Sequence, residues 1–597
     1  MNLQAVLHIP KSSYAFPLSP SEFRVRLRVG KGDVKRVRLV IGNQYLWDTR
    51  QEFEMQKFGS DALFDYYEYD YRCTDTRLGY YFLLGVVGEE LIYTENGFHA
   101  PGTVDTDKDR IGFVFFQFPY INPIDIHKKP SWVNEAVFYQ IFPERFCNGD
   151  PSISPDNTVE WGEKPTPWNY FGGDLQGIIE KLPYLEELGV NALYLTPVFE
   201  ALSNHKYDTV DYTRIDPHFG DESTLVELVQ KAHEKGIRIM LDGVFNHCGG
   251  GFRQFLDVVA HGEASPYKDW FHIHSFPVSF DPFNFEGFGS TAHITRARAG
   301  EGLPLGEVKK RCMPKLNTEN PEVMEYLLGA VAKWTRTGID GWRLDVADEV
   351  DAHFWREFRR TVRDINPDAV IIGENWWNAQ PWLRGDQFDG VMNYAVQRSS
   401  VLYFAKDSMT PHEFEESLTE YLMRYSSQAN DSMLNLLDSH DTPRFINTCG
   451  GRVGRLKNAA AFQYTYIGMP CTYYGTEIGM TGDNDPDCRK TFDWNEENWD
   501  HELRKYYKKL IALRKTRKAL QMGTIRFCST KHIFAMERAW EEERLLVLIN
   551  NTDAQQKYPL PCEKAVDLLG GKAYAPTEAI ALAPYSAAVL ELGPAEG

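Results

Sequence analysis

The chain has 597 residues, of which 43% are hydrophobic and 25% are charged. Acidic residues outnumber basic ones by 84 to 64, so the formal net charge is −20, and no run of basic residues offsets it. This composition is typical of a large globular protein with several domains, and it argues against nucleic acid or an anionic membrane surface as a partner.

The first residues, MNLQAVLHIPKSSYAF, lack the basic region and apolar core of a secretory signal, and no apolar stretch approaches a membrane helix in length. The nine cysteines are scattered and never form a CxxC pair. Scattered cysteines of this kind indicate reduced thiols rather than a disulfide framework or a zinc site. We therefore expect a cytoplasmic protein.

Residues 1–123 read as an all-β region. The segments FRVRLRV (23–29) and VKRVRLVIG (34–42) alternate apolar and polar residues, and Gly-Lys-Gly-Asp joins them as a hairpin turn would. This pattern predicts an N-terminal β-sandwich.

From residue 124 to about 516, short apolar strands alternate with amphipathic helices, which is typical of a (β/α)8 barrel. The predicted strands are 136–142, 191–199, 237–245, 341–345, 369–375, 390–395, 433–439 and 470–478. Residues 246–305 are too long for a barrel connection and predict a small inserted domain after the third strand. Strand patterns return over 517–597 and predict a C-terminal β-sandwich.

The fourth predicted strand, GWRLD (341–345), places Arg343 and Asp345 on the same face. Two buried charges cost several kcal/mol of desolvation each unless they are paired or used. Asp345, Glu374 and Asp441 all follow barrel strands, at the end where such barrels place their active sites. A lone carboxylate is more often a helix cap, but three at equivalent positions predict a site.

Converging carboxylates in an otherwise neutral pocket suit glycoside hydrolysis, in which one attacks the anomeric carbon and another protonates the leaving oxygen. Arg343 is expected to keep Asp345 ionised, because a nearby opposite charge favours the charged form. Glu374, next to Trp376 and Trp377, is the better candidate for the acid.

Several motifs resemble the α-amylase superfamily, glycoside hydrolase family 13. They are DGVFNH (242–247), GWRLD (341–345), GEN (373–375), LLDSHD (436–441) and the substrate-loop motif NHKYDTVDY (204–212). MPKLN (313–317), the segment 170–199 and the extra N-terminal β domain are similar to the subgroup of cyclomaltodextrinases, neopullulanases and maltogenic amylases. The resemblance implies that the N-terminal sandwich is like a carbohydrate-binding module.

The resemblance implies that Asp345 is the nucleophile, that Glu374 is the general acid and then base, and that Asp441 holds the hydroxyls of the reacting glucose. The residues implied to bind substrate are Tyr207, His247, Arg343, Trp376, Trp377, His440, Asp485 and Arg489. Asp242 is expected to be structural and to support Arg343 or the neighbouring loop.

The run after the acid departs from many relatives, which carry Ile and His where Asn375 and Trp377 stand here. Trp377 is expected to add a stacking surface near the acceptor subsites and to remove a titratable neighbour. The balance between hydrolysis and transfer to sugar acceptors therefore depends on this residue.

A second motif, CNGDPS (147–152) with GGD (172–174), resembles a calcium site formed by Asn148, Asp150, Gly172 and Asp174. Calcium requires six to eight oxygen ligands, and Ile153 and Ser154 replace an Asn-Asp pair that is common in relatives. The alternative is a capped turn without metal. No organic cofactor is expected.

The sequence thus predicts a retaining hydrolase that cleaves α-1,4 bonds in cyclodextrins and maltooligosaccharides, with pullulan and starch as further candidates, through a covalent intermediate on Asp345 and with some transglycosylation. The resemblance also implies a homodimer formed through the N-terminal domain. The alternatives are a glucanotransferase or branching-type transferase, and a non-catalytic, amylase-like scaffold protein.

Overall fold

The computed structural model describes residues 1–86, 89–104, 115–278, 287, 312–560, 564–575 and 579–593. No helix in these ranges is long and apolar enough to cross a membrane. The described cysteines are all free thiols.

The N-terminal region forms two packed antiparallel sheets. Its strands are β1 (Ala15–Ser19), β2 (Glu22–Gly30), β3 (Arg36–Asn43), β4 (Gln51–Glu54), β5 (Gln56–Ser60), β6 (Phe64–Arg72), β7 (Leu78–Val86), β8 (Glu89–Thr94), β9 (Gly97–His99) and β10 (Phe116–Phe118). One sheet has the order β1-β2-β6-β5 and the other β4-β3-β7-β8-β9, with β10 beside β7. Alternate apolar residues such as Val25, Leu27 and Leu39 fill the space between the sheets, which confirms the predicted sandwich.

The outward face of β2 packs on the barrel. Arg26 Nη1 donates to the Tyr425 carbonyl at 2.7 Å, and Arg24 Nη1 donates to Ser427 Oγ at 2.8 Å. These contacts explain why Arg26 is buried although the strand pattern places it away from the sandwich core. Two arginines of the alternating pattern, Arg24 and Arg26, are therefore interdomain contacts.

A (β/α)8 barrel follows. The strands of this region are β11 (Phe138–Ile141), β12 (Ala192–Leu195), β13 (Phe199–Ala201), β14 (Thr209–Ile215), β15 (Arg238–Gly243), β16 (Gly341–Leu344), β17 (Val370–Gly373), β18 (Gly390–Val391), β19 (Leu434–Leu436) and β20 (Met469–Tyr473). Strands β13 and β14 form a separate hairpin, and the other eight are parallel in the order β18-β17-β16-β15-β12-β11-β20-β19. A bridge between Met392 and Leu434 joins the two ends and closes the barrel.

The barrel strands are shorter than the predicted ones, because only part of each apolar run lies in the hydrogen-bonded ladder. A few residues of these runs precede the strands, and most of those that follow a strand lie in loops and turns at the mouth of the barrel. Asp345 and Glu374 are each the first residue after a strand, which is where barrel enzymes place reactive side chains.

Helices surround the barrel and connect its strands. The α-helices of the described residues are α1 (Leu175–Leu188), α2 (Glu222–Glu234), α3 (Arg253–His261), α4 (Pro321–Thr335), α5 (Ala352–Ile365), α6 (Tyr394–Ser400), α7 (Pro411–Arg424), α8 (Ser427–Asp431), α9 (Phe445–Thr448), α10 (Val453–Thr465), α11 (His501–Thr516) and α12 (Lys518–Met522). Most of the predicted inserted domain beyond residue 278 lies outside the described residues, so that domain stays a prediction, as do the exact domain boundaries.

The C-terminal region is a second β-sandwich. Its strands are β21 (Thr524–Phe527), β22 (Ile533–Trp540), β23 (Glu543–Asn550), β24 (Gln556–Pro559), β25 (Ala565–Asp567), β26 (Ala573–Tyr574), β27 (Ala579–Leu582) and β28 (Ser586–Leu592). A sheet of order β21-β22-β23-β28-β25-β26 packs against the β24-β27 pair. The buried Arg538 donates from Nη1 to the Thr465 carbonyl at 2.6 Å and fixes this domain to helix α10.

Candidate active site

The buried guanidinium of Arg343 lies at the centre of the barrel mouth. Its Nη1 donates to Asp345 Oδ1 at 2.8 Å and to the Asp242 carboxylate at 2.9 and 3.0 Å. Its Nη2 forms an ion pair with Glu374 Oε2 at 3.0 Å. One cation therefore holds three carboxyl groups, and Asp242 supports Arg343 as the sequence predicted.

Val346, directly after Asp345, positions the second acid. Its φ of 45° is in the left-handed region, which is strained for a β-branched residue. This turn presents the Val346 N–H to Glu374 Oε2 at 2.9 Å, while Trp376 Nε1 donates to Glu374 Oε1 at 3.0 Å. Both oxygens of Glu374 are therefore fixed.

The charge balance at Asp345 differs from the sequence expectation. Burial raises the pKa of the Asp345 carboxyl well above its ordinary value; Arg343 opposes the rise, and Glu374 and Asp242 add to it. Burial likewise raises the pKa of Asp242 to about 6, against the effect of Arg343 and of the Tyr194 and Tyr207 hydroxyls. The Arg343–Asp345 ion pair is present, but the guanidinium does not offset the burial of the Asp345 and Asp242 carboxyl groups.

A hydrogen-bonded chain fixes His440. Gln140 Nε2 donates to His440 Nδ1 at 2.7 Å, so the ring proton is on Nε2, which donates to the Tyr207 hydroxyl at 2.6 Å. The Tyr207 hydroxyl donates in turn to Asp242 Oδ2 at 2.9 Å. The Tyr207 and His440 rings stack with an interplanar angle of 4°. Burial and the charges of Arg489 and Arg343 lower the pKa of His440, so the ring is neutral.

His247 approaches the other side of Asp345, with its Nε2 at 3.9 Å from Asp345 Oδ2. Burial and the nearby Lys315 ammonium lower the pKa of His247 to about 3. Both site histidines are therefore neutral hydrogen-bonding groups at neutral pH, and neither acts as a proton reservoir there.

Asp441 and Asp485 are joined by Arg489. Arg489 Nη2 donates to Asp441 Oδ1 at 3.2 Å, its Nη1 pairs with Asp485 Oδ2 at 3.2 Å, and its Nε donates to the His440 carbonyl at 2.8 Å. This wall places partly exposed carboxylates beside the cavity, where they can accept hydrogen bonds from sugar hydroxyls.

The opposite wall is aromatic. Trp376 stacks on Tyr394 with 3.6 Å between ring centroids, so one of its faces is covered. Trp377 is 70% exposed, and the Arg398 guanidinium lies 5.2 Å from its ring centroid. Arg398 therefore makes a cation–π contact with a ring that is otherwise largely exposed.

A cavity of about 690 Å³ opens between these walls. Nine of the eleven residues predicted from the sequence line it: Asp345, Glu374, Asp441, Tyr207, His247, Trp376, Trp377, Asp485 and Arg489. The other two, Arg343 and His440, contact the lining residues from behind.

The sequence reasoning missed several residues of the site. Gln140 carried a signal, because a buried amide inside an apolar barrel strand requires a hydrogen-bond partner. The strained Val346 and the helical Arg398 carried none, since their roles depend on a backbone angle and on a packing distance.

The predicted calcium residues form one loop cluster. The buried Asn148 Oδ1 accepts no hydrogen bond from the described residues, and Gly172, at φ 79°, approaches the Asn148 side chain too closely for a Cβ atom. The Asp174 carboxylate accepts peptide N–H groups from Gly149, Asp150 and Gly177. Within the described ranges, no three His, Cys, Asp or Glu side chains converge as a metal site.

This cluster fits a cation that is bound mainly by neutral oxygens. Burial raises the pKa of the Asp174 carboxyl, although peptide N–H groups oppose the rise. A cation near Asn148 and Asp150 would satisfy the free amide oxygen and stabilise the buried charge. Asp174 also caps helix α1 through Gly177. It would therefore stabilise the cation by its negative charge rather than by direct ligation.

The site therefore has the parts of a carboxylate-dependent glycoside hydrolase on a (β/α)8 barrel. Residues 140–523 match the family described as "Alpha amylase, catalytic domain", residues 1–122 its N-terminal ig-like domain, and residues 534–592 the β-galactosidase C-terminal domain. The chain belongs to the α-amylase family and is a glycoside hydrolase.

The chain is similar along its whole length to a subgroup of that family. It is 45% identical to a cyclomaltodextrinase of Geobacillus thermopakistaniensis, covering 98% of each chain, and 45% identical to neopullulanase 2 of Thermoactinomyces vulgaris, covering 96% of this chain and 94% of the relative. A solved cyclomaltodextrinase structure superposes with a TM-score of 0.91 at 40% identity, covering 99% of this chain and 100% of that one. These matches confirm the predicted subgroup.

The raised pKa of Asp345 predicts the acid side of the pH–activity profile. The predicted role of Asp345 as nucleophile requires its charged form, so kcat/KM should fall as the pH drops through the raised pKa, above the ordinary aspartate value of about 3.9. Asp242→Asn removes one of the charges that raise this pKa, so the acid limb should move down by about one pH unit.

The measurement is kcat/KM on one maltooligosaccharide across the pH range for both proteins. A wild-type limb near pH 4, or an upward shift in Asp242→Asn, would show that the carboxyl groups are not coupled in this way. Asp485→Asn serves as the control, because Asp485 also lines the cavity but pairs with Arg489 and not with Arg343.

Proposed function

We propose that this α-glucan hydrolase cleaves α-1,4-glucosidic bonds in cyclodextrins and maltooligosaccharides with retention of configuration. The observation that supports the proposal most directly is the shared contact of Asp345 and Glu374 with Arg343, which brings a nucleophile and an acid to one point of the cavity. The names of the similar proteins support the substrate class.

In the first step, Asp345 attacks the anomeric carbon while Glu374 gives its proton to the departing glycosidic oxygen. The C–O bond breaks and a glucosyl ester forms on Asp345. In the second step, Glu374 takes a proton from water, the water oxygen bonds to the anomeric carbon, and the ester bond breaks. The second product is then released, Asp345 is again a carboxylate, and Glu374 again carries a proton.

Arg343 suits both steps. Three carboxyl groups around one guanidinium cannot all be charged at little cost, so the cluster retains a proton for the leaving group. Because Arg343 donates to Asp345 at 2.8 Å, it stabilises the carboxylate that is released when the ester breaks. The reaction requires the retained proton to be on Glu374 when substrate binds.

The remaining predicted residues suit the binding of the reacting glucose. Asp441 accepts hydrogen bonds from its hydroxyls, the neutral His440 and His247 contribute further hydrogen bonds, and Tyr207 offers an aromatic edge. Arg489 holds the Asp441 carboxylate in place by a charge-assisted hydrogen bond.

We further propose that some substrate is transferred to sugar acceptors, with Trp377 as the acceptor platform. The exposed ring and its Arg398 partner support this proposal. The same observation keeps a glucanotransferase as the second candidate function, since a strong acceptor site favours transfer over hydrolysis.

Turnover of β-cyclodextrin, maltotriose, pullulan and soluble starch tests the proposal. We expect the highest turnover on β-cyclodextrin, release of glucose and maltose, and initial products of α configuration by NMR. Glu374→Gln should lose at least about a thousandfold in kcat while still binding substrate.

Rearranged oligosaccharides without net hydrolysis would favour the transferase, and β-configured initial products would rule out retention. An absence of turnover on every α-glucan would favour the scaffold alternative. Glu325→Gln, at an exposed position of helix α4 outside the cavity lining, is the matched control for the Glu-to-Gln exchange.

The acceptor platform makes a separate prediction. Arg398→Leu removes the cation over Trp377, so the fraction of maltotriose converted to longer products should fall about two- to fivefold, with hydrolysis less affected. Trp377→Ala should show the same change more strongly. Product chromatography checks both, and equal losses of transfer and hydrolysis would contradict the acceptor role.

We propose that calcium binds the loop cluster of Asn148, Asp150, Gly172 and Asp174. A cation that binds only the folded state at 100 times its Kd adds about 2.7 kcal/mol to the free energy of unfolding. Chelation should therefore lower Tm by a few degrees, and added calcium should restore it. Asn148→Ala should lose this response, and a chelator-insensitive wild-type Tm would contradict calcium binding.

We also propose a homodimer formed through the N-terminal domain, in the cytoplasm. Tyr45 and Leu46 are 61% and 60% exposed on that domain, and Leu63 is 69% exposed. Exposed apolar side chains of this size suit a protein interface. The free thiols of the described cysteines support a reducing compartment.

A further inference from the structure

A second groove lies outside the active-site cavity. Residues 161–165, a loop between β11 and α1, form one of its sides, and residues 478–481, 487 and 490–493 form the other, with Asn498 and Trp499 at the end. Its volume is about 690 Å³, the same as that of the active-site cavity. The proposed mechanism uses none of these residues.

An aromatic cluster holds the groove open. Phe492 is fully buried and packs on Trp494 with ring centroids 4.1 Å apart. Trp161 Nε1 donates to the Phe492 carbonyl at 2.9 Å, and Trp499 Nε1 donates to the Asp493 carbonyl at 2.6 Å. The indole rings therefore have fixed positions, and a ligand need not order them on binding.

The polar groups of the groove are largely paired with one another. Asn498 Nδ2 donates to Asp493 Oδ2 at 2.8 Å, and the Lys490 ammonium donates to the Thr481 carbonyl at 3.0 Å and pairs with Asp487 at 3.4 Å. Polar groups that are paired in this way still offer hydrogen-bond donors and acceptors to a ligand, but they create no strong positive or negative electrostatic potential in the groove.

The polar and aromatic lining of the groove favours a neutral ligand that is rich in hydroxyl groups. A net-charged ligand would find no concentrated opposite charge, because the lining mixes the acidic Glu163, Asp487 and Asp493 with Lys164 and Lys490, and Lys490 pairs with Asp487. A neutral ligand with many hydroxyls can exchange hydrogen bonds with carboxylates and an amide and place its apolar ring faces on indole. A glucan has both features.

The groove and the active-site cavity share a wall. Asp485 and Arg489 line the active-site cavity, and Asp487 and Lys490 line the groove, so successive side chains of one short segment face the two sides. A glucan in the groove is thus held within one loop of the site at which a glucan would be cleaved.

We propose that this groove is a second α-glucan-binding site, which holds a segment of a long chain away from the cleavage point. The proposal rests on the proposed function, because a glucan ligand is meaningful only if glucans are the substrate. A chain of three glucoses would occupy the active-site cavity alone, whereas a polymer would use both.

The test uses full-length Glu374→Gln protein, which binds glucan without cleaving it. Affinity for soluble starch is measured by retardation in native gels, and affinity for maltotriose by titration calorimetry. Adding Trp161→Ala should weaken starch binding about tenfold, as expected for the loss of one aromatic anchor, and leave maltotriose binding unchanged. Adding Lys164→Ala should weaken starch binding about two- to threefold.

Trp540→Ala and Lys531→Ala, both in the C-terminal domain, are the matched controls and should change neither affinity. Lys164 is exposed, so its variant tests the groove even if Trp161→Ala does not fold. Unchanged starch binding in Lys164→Ala and in a folded Trp161→Ala would overturn the second site alone, as would equal losses for starch and maltotriose. If Glu374→Gln itself binds no glucan, the proposed function fails as well.

Discussion

The guanidinium of Arg343 is the contact on which the rest of the site depends. Asp242, Asp345 and Glu374 come from three adjacent barrel strands, and each meets this one cation. Removing it would leave three buried carboxyl groups without a counter-charge, which costs several kcal/mol. The barrel brings these groups together, because the C-terminal ends of its parallel strands all surround the same mouth.

The hydrogen bonds around this centre fix the position of each side chain. Gln140 fixes the tautomer of His440, His440 and Asp242 hold the Tyr207 hydroxyl, and Trp376 and Val346 hold Glu374. Both histidines are neutral, so in the proposed mechanism the protons that move are on carboxyl groups. We therefore expect the pH dependence to reflect the coupling among carboxyl groups and not a histidine switch.

The fold class could be predicted from the sequence, and so could the convergence of Asp345, Glu374 and Asp441 on one cavity. Both depend on local properties, namely strand periodicity and the position of a residue directly after a strand. The sequence was not sufficient for the charge balance at Asp345, which depends on how much water the folded barrel excludes. Nor did it contain the left-handed angle of Val346 or the distance from Arg398 to Trp377, since both arise from packing between distant segments.

The segment from Asp485 to Lys490 has a consequence for how this enzyme can change over evolution. One loop supplies side chains to two cavities, so a substitution that repositions its backbone alters both cavities together. Product length and polymer preference would then be inherited as linked traits. Laboratory selection for one of these two traits would then be expected to change the other as well. The exception would be a substitution of a side chain that faces only one of the cavities.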